Sequence, residues 1–270
     1  MDFLVFSDDF GEHPSSCQHL FRHIAKEHRV LWVNTIGMRS PKLNMTDLRK
    51  AFLKLGKMFG QKQSNPQRGY HDPNISVVQP LMLPYAHILG IRRFNRSSVI
   101  RKVRKKLNTL GVSSPILVST VPNACDYVGA FNEQKVVYYC VDDFAHWPGH
   151  DEDYITRLED ELIAKSDVFV ATSQKLYDRL SAYGKPTHLL THGVDVQHFS
   201  NLPETEHPVL ADIPKPRVGY FGLFDERTDQ ELVREVAKSS PEVSFVFTGR
   251  VEADHARISD LENVHFTGPV

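Results

Sequence analysis

The stretch Thr191-His192-Gly193-Val194-Asp195-Val196-Gln197-His198-Phe199 decides how this chain is divided. An apolar strand precedes it, a proline-rich connector follows it, and a second α/β unit lies beyond. That arrangement predicts a join between two domains that clamp a ligand. Gly193 is expected to take a positive φ at the turn that ends the strand, where a side chain would clash. Asp195 can tie its own backbone into the turn, and Phe199 is apolar enough to pin the connector.

Outward from this join, apolar β-branched runs alternate with amphipathic helical stretches. Ten strands are predicted, at residues 3–7, 30–34, 75–79, 116–120, 136–141, 168–172, 188–192, 218–221, 243–248 and 264–267. Val136-Val137-Tyr138-Tyr139-Cys140-Val141 is apolar on both faces, as a strand buried between two helix layers must be. Strands alternating with helices imply parallel sheets with right-handed crossovers. Ser15-x-x-Gln18 and Thr228-x-x-Glu231 fit capping boxes. The second of these opens a helix whose Leu232, Val233 and Val236 are expected to face inward. Ser173 is expected to cap another helix.

Pro203, Pro208, Pro214 and Pro216 punctuate the connector. The predicted layout is a first domain over 1–200, a linker over 201–216 and a second domain over 217–270. With three strands after Val218, that second domain is expected to be incomplete. The fold class is α/β, with two Rossmann-like doubly wound parallel sheets.

The 270 residues are 41% hydrophobic, enough for a real core, and no apolar run reaches the roughly 20 residues that span a bilayer. The start of the chain opens on a strand and lacks the marks of a signal peptide. Cys17, Cys125 and Cys140 form no C-x-x-C pair and leave an odd one over, which points to a reducing cytoplasm. Net charge is −1 but unevenly spread. Between Arg39 and Leu110, sixteen Lys/Arg face only Asp47 and Asp72, a charge of +14 that leaves −15 for the remainder. Such asymmetry predicts an anionic partner for one face.

Several motifs run in a fixed order along the chain. They are Ser7-Asp8-Asp9-Phe10-Gly11-x-His13-Pro14-Ser15-Ser16-x-Gln18, Tyr138-Tyr139-Cys140-Val141-Asp142-Asp143-Phe144, Ala171-Thr172-Ser173, His192-Gly193-Val194-Asp195-x-x-x-Phe199 and Gly219-Tyr220-Phe221-Gly222-x-x-Asp225-Glu226-Arg227. Together they resemble glycosyltransferases of the two-Rossmann-domain (GT-B) type, close to family 4 and to the bacterial teichuronic-acid and cell-surface polysaccharide enzymes. The resemblance implies transfer of a sugar from a nucleotide-sugar donor to a glycan or lipid-linked acceptor, with no metal or other cofactor required. The family's paired-glutamate motif, E-x7-E, has no counterpart in these residues. Where the family often carries an arginine early in the second domain this chain has Leu223, with Arg227 the nearest cation.

In a doubly wound sheet, ligands sit outside the carboxyl ends of the strands. The loop after the first strand therefore supplies Gly11 toward the donor, where close backbone approach is possible. The same loop offers His13, Ser15 and Ser16 toward the acceptor, and the following helix N-terminus offers free N–H groups. After the most buried strand come Asp142, Asp143 and His146. Removing a proton from an acceptor hydroxyl suits Asp143 first, then Asp142 or His146. The alternative is that Asp142 caps the loop and His146 packs on Trp147. In the second domain Gly222, Arg227, Gly249 and Arg250 are the donor-side candidates, the cations offsetting charge on a diphosphate leaving group. Arg227 could instead pair with Asp225 or Glu226.

Asp151-Glu152-Asp153 mimics a metal-binding D-x-D but opens a helix, where acids are favoured by the dipole alone. His19 and His23 lack the H-E-x-x-H pattern. No G-x-G-x-x-G follows the first strand, which disfavours a nicotinamide enzyme and, with it, a nucleotide-sugar-modifying one. Arg92, Arg93, Arg96, Arg101, Lys102 and Lys105 lie on one basic amphipathic stretch, and Leu48 to Phe59 forms a second. Such helices suit an anionic membrane surface, and so predict a cytoplasmic protein at the inner face of the membrane. Nucleic acid is disfavoured because no aromatic stacking platform accompanies the charge. The alternative to an active transferase is a non-catalytic, truncated acceptor- and membrane-binding protein derived from one.

Overall fold

The computed structural model describes residues 1–11, 15–35, 72–201 and 203–270. His13 and the predicted basic stretch Leu48 to Phe59 lie outside these residues. Two compact units make up the chain, Met1–Gly193 and Val194–Val270. Residues 201–216 fall within the second.

The first unit is built on seven strands: β1 (Asp2–Ser7), β2 (Arg29–Asn34), β3 (Ile75–Val78), β4 (Ile116–Ser119), β5 (Lys135–Cys140), β6 (Val168–Ala171) and β7 (Thr187–Leu189). They pair in the order β3-β2-β1-β4-β5-β6-β7, every pair parallel. Chain order runs outward from β1 in one direction and, after β4, in the other. The reversal between β1 and β4 is the place where such a sheet opens a crevice for ligands.

Alternation in the strands splits the core into two layers. Leu4, Phe6, Leu31 and Leu117 pack with Val99, Val103 and Leu107 of helix α2 (Leu89–Leu110) on one face. Val5, Trp32 and Val118 pack with Cys17 and Phe21 of helix α1 (Ser16–Ile24) on the other. Farther along the sheet, Tyr138, Cys140 and Phe169 meet two more helices. Helix α3 (Glu152–Lys165) contributes Ile155, Leu158, Leu162 and Ile163, and helix α4 (Gln174–Ser181) contributes Leu176 and Leu180.

All ten predicted strands are present, most within a residue of their expected limits. The exception is β7, which stops at Leu189 and not at His192. Gly193 lies outside the sheet and is not among the glycines with positive φ. Phe199, expected to pin the connector, is 70% exposed on the short helix α5 (Val196–Ser200). Asp195 does serve the turn, accepting from His198 N as the N-cap of α5.

The second unit holds a parallel sheet, ordered β10-β9-β8, of β8 (Arg217–Phe221), β9 (Ser244–Thr248) and β10 (Val264–Gly268). Helix α6 (Gln230–Ser239) follows β8 and is capped by Asp229, one residue later than predicted. The face that packs on the sheet differs from the expected one in part. Val233 and Ala237 join Phe247 and Phe266 in the core, while Leu232 and Val236, expected inside, are exposed.

Candidate functional site

Because every strand of the first sheet is parallel, the loops after β1, β4, β5, β6 and β7 share one edge. The Gly11 loop and the Asp142-Asp143 loop therefore lie on the same side. The strands they follow, β1 and β5, are two positions apart, about 10 Å.

Side chains beneath the Gly11 loop hold it in place. Trp32 Nε1 donates to Asp8 O at 2.9 Å, and Phe10 N donates to Asn34 Oδ1 at 3.0 Å. Gly11 has a φ of 90°, a conformation that favours glycine. Its N–H donates to Gln18 Oε1 at 2.9 Å. The expected capping box is thus half formed. Ser15 Oγ caps α1 by accepting from Gln18 N, but the Gln18 side chain reaches back to Gly11. Fully buried, Gln18 clamps the loop onto α1.

Ser16 Oγ lies 2.6 Å from Nδ1 of His192, a contact sequence reasoning missed. His192 follows β7, four strands from β1, so the chain must run back along the carboxyl edge to make it. Only the polar residue just ahead of Gly193-Val194-Asp195 hinted at this.

The loop after β5 separates its two acids. Asp142 Oδ1 accepts from Asp143 N at 2.9 Å and so closes the turn, as its alternative reading proposed. Asp143 Oδ1 pairs with His146 Nδ1 at 3.0 Å, and Asp143 Oδ2 lies 4.0 Å from Lys175 Nζ on α4. His146 Nε2 lies 3.5 Å from Glu152 Oε1 in the first turn of α3. Hydrogen bonding to Asp143, reinforced by the charges of Asp143 and Glu152, raises the pKa of His146 above the ordinary histidine value. It is His150, not His146, that stacks on Trp147, with ring centroids 6.1 Å apart. Asp143, His146, Glu152 and Lys175 thus form a mixed-charge cluster at the sheet edge. An Asp–His pair there can accept a proton from a hydroxyl.

A second ionic cluster lies beneath the first. Glu159, 5% exposed, accepts from Tyr138 Oη at 2.6 Å and from Arg179 Nη1 and Nη2 at 2.8 and 2.9 Å. Cys140 Sγ donates to Asp142 O at 3.6 Å, so this cluster touches the base of the site loop. Burial pushes the Cys140 thiol up to about 11, which keeps it protonated. The only sequence sign of this network was an acid inside the apolar stripe of α3.

Elsewhere in the unit, Cys125, Asp126 and Glu161 bring potential metal-ligand atoms within 4.8 Å of one another. Arg92 already answers both carboxylates, at 2.7 Å to Asp126 and 2.9 Å to Glu161. Burial pushes the Cys125 thiol up to about 12. A protonated thiol and two paired acids are a poor cation trap.

In the second unit, the donor-side candidates gather at the carboxyl ends of β8 and β9. Gly222 and Gly249 both have positive φ, 148° and 141°. Their backbones are so close that a Cβ on Gly249 would collide with the Gly222 carbonyl oxygen. Arg227 Nη2 pairs with Asp225 Oδ2 at 2.7 Å, and this bond holds the Asp225 carboxyl below its usual range. Arg250 lies farther from its partner, with Nη1 4.0 Å from Glu252 Oε1, and remains largely exposed.

No family model matches the chain, and no curated protein matches it. Solved structures do. A sucrose-phosphate synthase from Thermosynechococcus elongatus superposes with a TM-score of 0.61 at 14% identity, over all of this chain and 70% of that one. The lipopolysaccharide outer core galactosyltransferase WaaB gives 0.52 at 12%, over all of this chain and 68% of its own. The UDP-GlcNAc 2-epimerase from Neisseria meningitidis, bound to UDP-GlcNAc, gives 0.50 at 13%, over all of this chain and 73% of its own. The fold is GT-B. At such identities the likeness establishes the fold alone. The parallel strand order places the Gly11 and Asp143 loops together on the carboxyl edge of the first Rossmann-like sheet.

Proposed function

We propose that this chain carries out glycosyl transfer from a nucleotide-diphosphate sugar to an acceptor hydroxyl. The acceptor would be a glycan or a lipid-linked glycan, in the manner of family 4 enzymes of cell-surface polysaccharide synthesis. One observation supports this reading above the others. The Asp143–His146 pair stands on the carboxyl edge of a GT-B sheet, on the same edge as Gly11, Ser15 and Ser16.

In this reading Asp143 takes the acceptor proton and His146, held by Asp143 and Glu152, orients the hydroxyl. Ser15 and Ser16 border the acceptor. On the donor side, Gly222 and Gly249 admit the diphosphate close to the backbone. Arg250 and Arg227 then offset the charge that grows on the leaving group as the glycosidic bond breaks. A lipid-linked acceptor would bring the chain to the cytoplasmic face of the membrane.

The test is incubation of the purified chain with UDP- and GDP-sugars and a panel of acceptors, following nucleoside diphosphate by chromatography. Acceptor-dependent release of UDP or GDP supports the reading. Conversion of UDP-GlcNAc to its epimer without an acceptor would replace transfer with epimerisation, the activity named for one of the structural neighbours. No turnover, with liposome binding retained, would leave the non-catalytic alternative.

A further inference from the structure

We propose that the outward face of α2 is a docking surface for an anionic lipid bilayer, made by Arg93, Arg101 and Lys105 around an exposed Phe94. The location of this surface rests on geometry alone. Its use, access to a membrane-held acceptor, rests on the transferase reading.

Over its 22 residues α2 carries eight cations and no acid. The structure divides them. Arg92 turns inward to Asp126 and Glu161. Arg96, Lys102 and Arg104 donate to the carbonyls of Asp126, Gln79 and Ala130, which ties the helix to its own unit. Lys106, half-buried, has no side-chain partner among the described residues, and neither do Arg93, Arg101 and Lys105. With Ser97 these last three sit four apart, at 93, 97, 101 and 105, one row along the helix. Twelve residues of helix make that row about 18 Å long. Asn95, Val99, Val103 and Leu107 face the core, so the row points away from it.

Apolar side chains flank this row. Phe94, beside Arg93, is 43% exposed, and at the amino end of the helix Ile88 and Leu89 are 49% and 61% exposed. An extended cationic row with an aromatic ring at its margin fits lipid phosphates, with the ring entering the interfacial layer. Nucleic-acid phosphates would meet the same cations, but a single aromatic offers no stacking platform. The bilayer is therefore the occupant we assign. Of the six residues the sequence marked as membrane-facing, Arg92 is set aside, and Arg96 and Lys102 serve mainly to anchor the helix.

The test uses the full chain and sedimentation with vesicles of phosphatidylcholine, with or without phosphatidylglycerol. The wild-type chain is expected to bind only the anionic vesicles. R93Q/R101Q/K105Q should weaken that binding about 100-fold, from three surface cations lost. Phe94→Ser should leave low-salt binding nearly intact and abolish what survives at high salt. Circular dichroism checks that each variant folds. Equal binding by the triple variant would overturn the proposal, as would tighter, equally cation-dependent binding to duplex DNA. Donor turnover with a soluble acceptor should be unchanged in the triple variant. Its absence in the wild-type chain would instead count against the transferase reading and leave the docking surface standing.

Discussion

Two ionic clusters in the first unit are built by the same pair of helices and behave in opposite ways. Helix α3 supplies Glu152 to the cluster at the sheet edge and Glu159, two turns on, to the cluster beneath. Helix α4 supplies Lys175 to the first and Arg179, one turn on, to the second. Beneath, Glu159 is dry and fully answered by Tyr138 and Arg179. At the edge, the His146 and Glu152 side chains are each 66% exposed and the Lys175 side chain 87%. Water decides the difference. A buried carboxylate needs every partner it has, whereas an exposed one can exchange partners for a substrate. One cluster ties the helices together, and the other stays open to solvent.

That contrast can be broken in measurable ways. The largest effect is expected from Glu159→Ala, which strands Arg179 and Tyr138 and should cost about 3 kcal/mol in a denaturant titration. Adding Arg179→Met should recover part of it, and loss of less than about 1 kcal/mol in the single variant would mean the lower cluster does not hold the helices. Asp143→Asn should act in the reverse sense. Stability should stay within about 0.5 kcal/mol of wild type, while acceptor-dependent turnover falls about 100-fold or more. A stability loss like that of Glu159→Ala would make the upper cluster structural too.

Ser173→Ala removes the hydroxyl that caps α4 and should cost about 1 kcal/mol, measured by thermal melting. Because α4 serves both clusters, turnover should drop modestly with it. The smallest effect is a titration. In NMR, His146 should titrate above the ordinary 6.5, and Asp143→Asn should bring it back down. The raised value means that the stabilising contact is complete below pH about 6.5 and fades as pH rises through the folded value. An unchanged His146 titration in Asp143→Asn would show that the pair does not form in solution.

Much of this was legible in the residues, for identifiable reasons. Strand positions came through because β-branched runs such as Val136–Val141 have no helical period to compete with. Ser15 and Ser173 announced their caps because capping is a local interaction between neighbours in sequence. The failures were of reach. Gln18 was expected to serve its own helix end and instead crossed to Gly11. Phe199 reads as core by composition and is exposed, because burial depends on what packs above a residue. The candidate site was half visible: Asp142 and Asp143 announced themselves by adjacency, while Glu152, Lys175 and His192 arrived from elements distant in sequence.

The amino-acid sequence by itself determined the alternation of strands and helices, the parallel class of the sheets and the crowding of positive charge into one segment. Each follows from the chemistry of neighbouring residues. Only the tertiary structure decided which of α2's cations point outward, which acid meets His146, and that Glu159 is buried while Glu152 is not. Those choices depend on long-range packing and on the exclusion of water, which no local pattern records.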